Sequence, residues 1–136
     1  MSEDNKSTVR NYFEQVWNKG RLDRFEDYVA EDIVPHNPGP GPTDAGAMKE
    51  ALGGFRRALP NIHIALDDEI GADDKVIVRW TLSGTHEGEF QGIPATGKDV
   101  AVTGITIFRL AEGKIAEYWL EANNLGMMQQ LGVIPS

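Results

Sequence analysis

The chain has 136 residues, 40% hydrophobic and 25% charged, an ordinary globular composition long enough to bury a core without disulfide or metal staples. Its formal net charge of −8 opposes a nucleic-acid partner, which calls for basic surface, and an anionic membrane surface for the same reason. With no cysteine, disulfides, thiolate metal sites and a cysteine nucleophile are excluded.

Met1–Ser7 has no apolar run of signal-peptide shape, and no window approaches the roughly 18 apolar residues of a membrane span. The expectation is one cytoplasmic domain over residues 1–136. Val9, Tyr12, Phe13, Val16 and Trp17 fall on one face of a helix, and Asn18-Lys19-Gly20 stops it. A shorter helix follows, with Leu22, Phe25, Tyr28 and Val29 on one side. The proline-dense stretch Val34–Pro42 predicts a stiff extended loop. Thr43 or Asp44 caps a third helix, whose apolar face runs from Ala47 to Leu59 and which Pro60 ends.

After Pro60 the apolar period changes from the helical value to alternation. Ile62, Ile64 and Leu66 mark one strand, and Gly71–Asp74 a turn. Val76–Ser83 is a second strand, with Val76, Val78, Trp80 and Leu82 on one face. Lys98–Leu110 is a third, partly apolar on both faces, and Glu112-Gly113 turns the chain into a fourth, Lys114–Asn123. Leu125–Leu131 is a candidate closing helix. Helices followed by an antiparallel meander give an α+β fold. One sheet face then lines a pocket and the other packs against something, a second subunit being the natural choice.

Several segments, in order, resemble one family. They are Val9–Phe13 through Trp17–Gly20, Asp32–Pro38, Arg79–His86 running into the Gly-Ile-Pro-x-Thr-Gly-Lys loop (Gly92–Lys98), Gly104–Arg109, Gly113–Ile115, and the ending Asn-Asn-Leu-Gly-Met-Met-Gln-Gln-Leu-Gly (Asn123–Gly132). Together they are similar to the SnoaL-like polyketide cyclases of the nuclear-transport-factor-2-like superfamily. The resemblance implies a cone-shaped fold, with three N-terminal helices on a strongly curved, mostly antiparallel sheet enclosing a pocket. It implies a homodimer through the outer sheet face and cofactor-independent acid/base chemistry on a hydrophobic or aromatic carbonyl compound. It also exposes a departure. Catalytic members carry an acid/base aspartate four residues after the strand tryptophan, here Trp119, and this chain has Asn123.

The candidate site residues follow from that pattern. His36, in the proline-rich loop, is either a proton donor in the pocket wall or a residue that orders the loop. His86 is either a polar group at the pocket rim or a turn residue bonding nearby backbone; His63 reads as an ordinary strand residue. The three histidines lack metal-ligand spacing, and no metal is expected. If Asn123 faces the pocket as the family aspartate does, alternation puts Ile115, Glu117, Trp119 and Glu121 on the same face, and Tyr118, Leu120 and Ala122 on the other. Asn123 would then hold an oxyanion, and Glu121, roughly 6.5 Å away along the strand, is the reserve acid/base. A bulge would bring Asn124 inward instead. Trp17, Phe55, Trp80, Phe90 and Trp119 are the expected aromatic contacts to substrate. Two functions fit: a polyketide-cyclase-type enzyme closing a ring by an aldol-type step or a related isomerase or lyase step, and a diverged binding protein that keeps the pocket and not the proton transfer.

Overall fold

The computed structural model describes residues 2–37 and 41–134. Helix α1 (Ser2–Asn11) runs on without interruption into a π-helical segment, Tyr12–Asn18. Its apolar stripe is buried as the spacing predicts: Val9, Tyr12, Phe13 and Val16 all lie in the core. A 3₁₀ turn (Leu22–Arg24) leads into the one-turn helix α2 (Phe25–Tyr28). Helix α3 (Ala45–Ala58) is capped by Asp44, whose carboxylate accepts the Ala47 N–H at 2.8 Å. It ends before Pro60 with Met48, Leu52 and Ala58 buried.

Five strands, β1 (Val29–His36), β2 (His63–Ala72), β3 (Lys75–Thr85), β4 (Asp99–Ala111) and β5 (Lys114–Ala122), form one sheet in the order β1-β5-β4-β3-β2. Strands β2 to β5 are antiparallel neighbours, and β1 joins β5 in parallel. Strand β1 corrects an expectation. Val34–His36, read as the start of a proline-rich loop, is the end of an edge strand, where a proline costs no ladder hydrogen bond. The Pro38–Pro40 part of that expected loop lies outside the described residues. Helix α4 (Asn124–Leu131) closes the chain and buries Met127 and Leu131.

Register shifts occur in β1 against β5, in β2 after Leu66 and in β5 after Ile115. Such bulges bend strands and raise their twist, which lets one sheet wrap around the helices. The concave face carries Ile64, Val76, Val78, Trp80, Leu82, Val102, Phe108 and Tyr118, all buried. The α+β class and the curved, mostly antiparallel sheet are those expected.

Candidate functional site

Between the helices and the concave face lies a cavity of about 580 Å³. Its walls are largely aromatic and aliphatic. Trp17, Phe55 and Phe90 follow one another through ring contacts, Trp17 to Phe55 at 5.9 Å and Phe55 to Phe90 at 5.1 Å between centroids. Trp80 lies across the sheet wall, 8% exposed, and donates its indole N–H to Thr106 Oγ1 at 3.0 Å. Gly104, its cross-strand partner, makes room: a Cβ there would sit 2.2 Å from the Trp80 ring. Four of the five expected aromatic contacts, Trp17, Phe55, Trp80 and Phe90, therefore line one cavity.

Phe90 is held by the loop between β3 and β4. The N–H groups of Glu87 and Gly88 both donate to the Ala58 carbonyl at the end of α3. Gly88 comes so close that a Cβ would meet the Arg57 carbonyl oxygen at 2.3 Å. Phe90 and Ile93 then pair around a tight turn.

The fifth aromatic, Trp119, faces the other way. Arg109 pairs with Glu117 and the next residue, Leu110, with Ile115, so Ala116 is an extra residue in β5. The bulge breaks the alternation: Ile115 and Tyr118 both point into the cavity, and so do Leu120 and Ala122. Glu117, Trp119 and Glu121 consequently lie on the convex face, the reverse of the side expected for them. His36 lies there too. Its ring stacks on Trp119 at 5.1 Å and 7°, and its Nε2 is 2.8 Å from Glu117. Arg109 bonds the other Glu117 oxygen at 2.9 Å. The His36 bond first and the Arg109 bond second hold the Glu117 carboxyl below the ordinary range.

Asn123 caps α4. Its Oδ1 accepts the Gly126 N–H at 2.9 Å, so the side chain turns along the helix end. Its neighbour Asn124, the first residue of α4, is the amide that lines the cavity. The bulge sits upstream, at Ala116, and shifts the whole remainder of the strand.

His86 is fully buried inside the loop. Its Nδ1 faces the Thr96 hydroxyl at 3.0 Å and the Thr96 N–H at 3.3 Å, while its main chain bonds Lys98 and Gly97. His36, His86, Asn123 and Glu121 are therefore not brought together, and none of them is among the lining residues.

The polar groups that do line the cavity are neutral: Tyr12, Asn37, Gln91, Thr106, Tyr118 and Asn124. Tyr118 donates to Asn37 Oδ1 at 2.8 Å, and the Asn37 amide donates to the Pro42 carbonyl at 2.9 Å. Burial pushes the Tyr118 phenol upward against the opposing effect of the Asn37 bond. Burial pushes Tyr12 much further, well beyond the ordinary phenol range. Both are hydrogen-bonding acids that keep their protons near neutral pH. No Asp, Glu or His lines the cavity among the described residues. Nor do three His, Asp or Glu side chains cluster in a way that could hold a metal there. Tyr12 reads in the sequence as part of an apolar helix stripe, and Tyr118 stands on the face opposite to Trp119. The bulge that turns that face inward has no local sequence signal.

Residues 7–131 match the family described as SnoaL-like polyketide cyclase. The chain is 28% identical over 126 residues to the aklanonic acid methyl ester cyclase DauD of Streptomyces sp. strain C5, covering 87% of this chain and 76% of DauD. Among solved structures, AclR of Streptomyces galilaeus superposes with a TM-score of 0.90 at 25% identity, over 100% of this chain and 85% of AclR. IdmH of Streptomyces antibioticus superposes with a TM-score of 0.83 at 29% identity, over 94% of this chain and 98% of IdmH. With a family match over nearly its whole length and a fold shared with these proteins, the chain belongs to the SnoaL-like polyketide cyclase family.

Proposed function

We propose that the protein takes a hydrophobic carbonyl compound of polyketide type into the cavity and promotes an aldol-type ring closure or a related isomerase or lyase step. The observation that carries this reading is a cavity of about 580 Å³, aromatic and aliphatic with a few neutral hydrogen-bonding groups, in a chain of this family. The similarity to a named methyl ester cyclase points the same way.

The polar lining suggests how the step would run. A C–H flanked by two carbonyls is acidic enough to lose its proton to water or hydroxide. The enolate carbon then attacks a third carbonyl carbon farther along the same molecule, forming the C–C bond as that C=O π bond opens, and the resulting alkoxide takes a proton from solvent. The protein would contribute by folding the extended substrate into a reactive conformation and by hydrogen-bonding the developing negative oxygen. The oxyanion role foreseen for Asn123 passes in this reading to the Asn124 amide, which lines the cavity. No cofactor enters the scheme.

A second reading, a binding protein without turnover, is favoured by one observation: the described lining contains no carboxylate or imidazole to shuttle a proton. One experiment separates the two. The protein is incubated with a linear aromatic β-diketone that carries a third carbonyl placed to close a six-membered ring, binding is followed by calorimetry, and ring-closed product by mass spectrometry. Binding with closure above the buffer rate supports the enzyme. Binding at the buffer rate of closure supports the second reading. No binding removes both.

A further inference from the structure

Two hydroxyls in the cavity share an unusual arrangement. Tyr12 OH accepts the indole N–H of Trp17 at 3.1 Å, and Thr106 Oγ1 accepts the indole N–H of Trp80 at 3.0 Å. Both hydroxyl residues are 5% exposed and both line the cavity. Each oxygen spends acceptor capacity on an indole, which can only donate. Each keeps its own O–H, and neither proton has an acceptor among the described residues.

Local structure explains the first pair. In an α-helix, residues five apart are rotated by about 140° and do not touch. The Tyr12–Asn18 segment is instead π-helical, with the Lys19 N–H bonded to the Glu14 carbonyl five residues back. That wider turn brings Trp17 beside Tyr12. π-Helical turns are rare and concentrate at functional sites. The second pair depends on Gly104, the lack of a Cβ letting the Trp80 ring lie flat enough to reach Thr106. Two different backbone devices thus produce the same result, a buried hydroxyl fixed as a donor. A buried donor left without an acceptor costs stability, and a ligand oxygen would relieve that cost.

We propose that Tyr12 and Thr106 are the donors that read two carbonyl oxygens of the ligand, with Trp17 and Trp80 as positioning residues that leave each hydroxyl proton free to enter the cavity. The pair selects acceptor-rich, neutral molecules over hydrocarbons of the same shape. The inference rests on the proposed uptake of a carbonyl compound, and the test separates the two.

The probes are 2,6-diacetylnaphthalene and 2,6-diethylnaphthalene, alike in shape and differing in their carbonyl oxygens, titrated by quenching of tryptophan fluorescence. The wild type is expected to prefer the diketone by tenfold or more. Tyr12→Phe and Thr106→Val are each expected to reduce that preference, taken as the ratio of the two affinities in the same variant, by about three- to tenfold, one neutral hydrogen bond each. A wild type that binds the two equally, or variants that keep the full preference, overturns the donor assignment and leaves the proposed cavity function standing. A wild type that binds neither probe overturns both. Ultraviolet resonance Raman gives a readout independent of the variants' folding. The tyrosine doublet of the wild type should move toward the donor signature when the diketone is added and not with the hydrocarbon. An unmoved doublet overturns the assignment. Trp17→Phe should shift the Tyr12 contribution to that doublet in the free protein, which a merely space-filling indole would not do.

Discussion

Gly104→Ala tests the sheet wall of the cavity. The added Cβ would lie 2.2, 2.6 and 2.7 Å from three atoms of the Trp80 ring. Ordinary carbon contacts are about 3.5–4.0 Å, so the ring must retreat by more than an ångström. It has little freedom, being 8% exposed and tied to Thr106 at 3.0 Å. Overpacking costs about 1–3 kcal/mol and loss of the indole bond about 1 kcal/mol more, for a sum of about 2–4 kcal/mol. At roughly 3 °C per kcal/mol for a chain of this size, Tm should fall by about 6–12 °C in differential scanning calorimetry. In a Trp80→Leu background the same substitution should cost less than about 1 kcal/mol, because the two effects share one contact. A fall of less than about 2 °C in the otherwise unaltered chain, or an equal fall in both backgrounds, would refute the argument from the ring.

The remaining expectations concern the cap, the convex face and the cavity lining. Asn123→Ala should lower Tm by about 3 °C, the loss of roughly 1 kcal/mol of capping energy. Asn123→Asp should keep the cap and add a charge favourable at a helix N-terminus, raising stability by about 0.3–1 kcal/mol without conferring ring closure; a large gain in closure would show that this side chain reaches substrate. Glu117, held below its ordinary carboxyl range by His36 and Arg109, contributes stability that is present above its unfolded value of about 4.3 and lost as pH falls through the lower folded value. Glu117→Gln should therefore flatten the decline of Tm below about pH 5, and an unchanged acid limb would contradict the assigned ion pairs. Tyr118→Phe removes the hydrogen bond to Asn37 Oδ1 and should cost about 1 kcal/mol in urea titration. An unchanged urea midpoint would contradict the assigned bond.

Much of the architecture is legible along the chain because it rests on local rules. The stripe from Val9 to Trp17, the Asp44 cap and the alternation through Val76–Leu82 each follow from a period or a capping preference, and the structure realises them. The glycine turn at Glu112-Gly113 is read in the same way, both residues taking positive φ. The ordered segments also sufficed to indicate the family. Facing on the last strand was another matter. Period-two reasoning carries a parity from one end of a strand to the other, and a single extra residue reverses it. Ala116 is that residue, and nothing in Lys-Ile-Ala-Glu-Tyr-Trp announces it, since a bulge is selected by how β5 pairs with β4. It turned Tyr118 into the cavity and left Trp119 and Glu121 on the convex face.

His36 and His86 were visible as residue types; their partners were not. Glu117, 81 positions from His36, and Thr96, ten from His86, become neighbours through strand pairing and loop closure. The Tyr12 hydroxyl lay hidden in an apolar stripe for a similar reason, because its meaning depends on a π-helical turn that no periodicity in the sequence distinguishes from α. Local patterns thus specify elements, caps and turns, since their energetics involve residues a few positions apart. The chemistry of the cavity depends on which face each strand presents and on contacts between distant segments, and those are settled when the sheet closes over the helices.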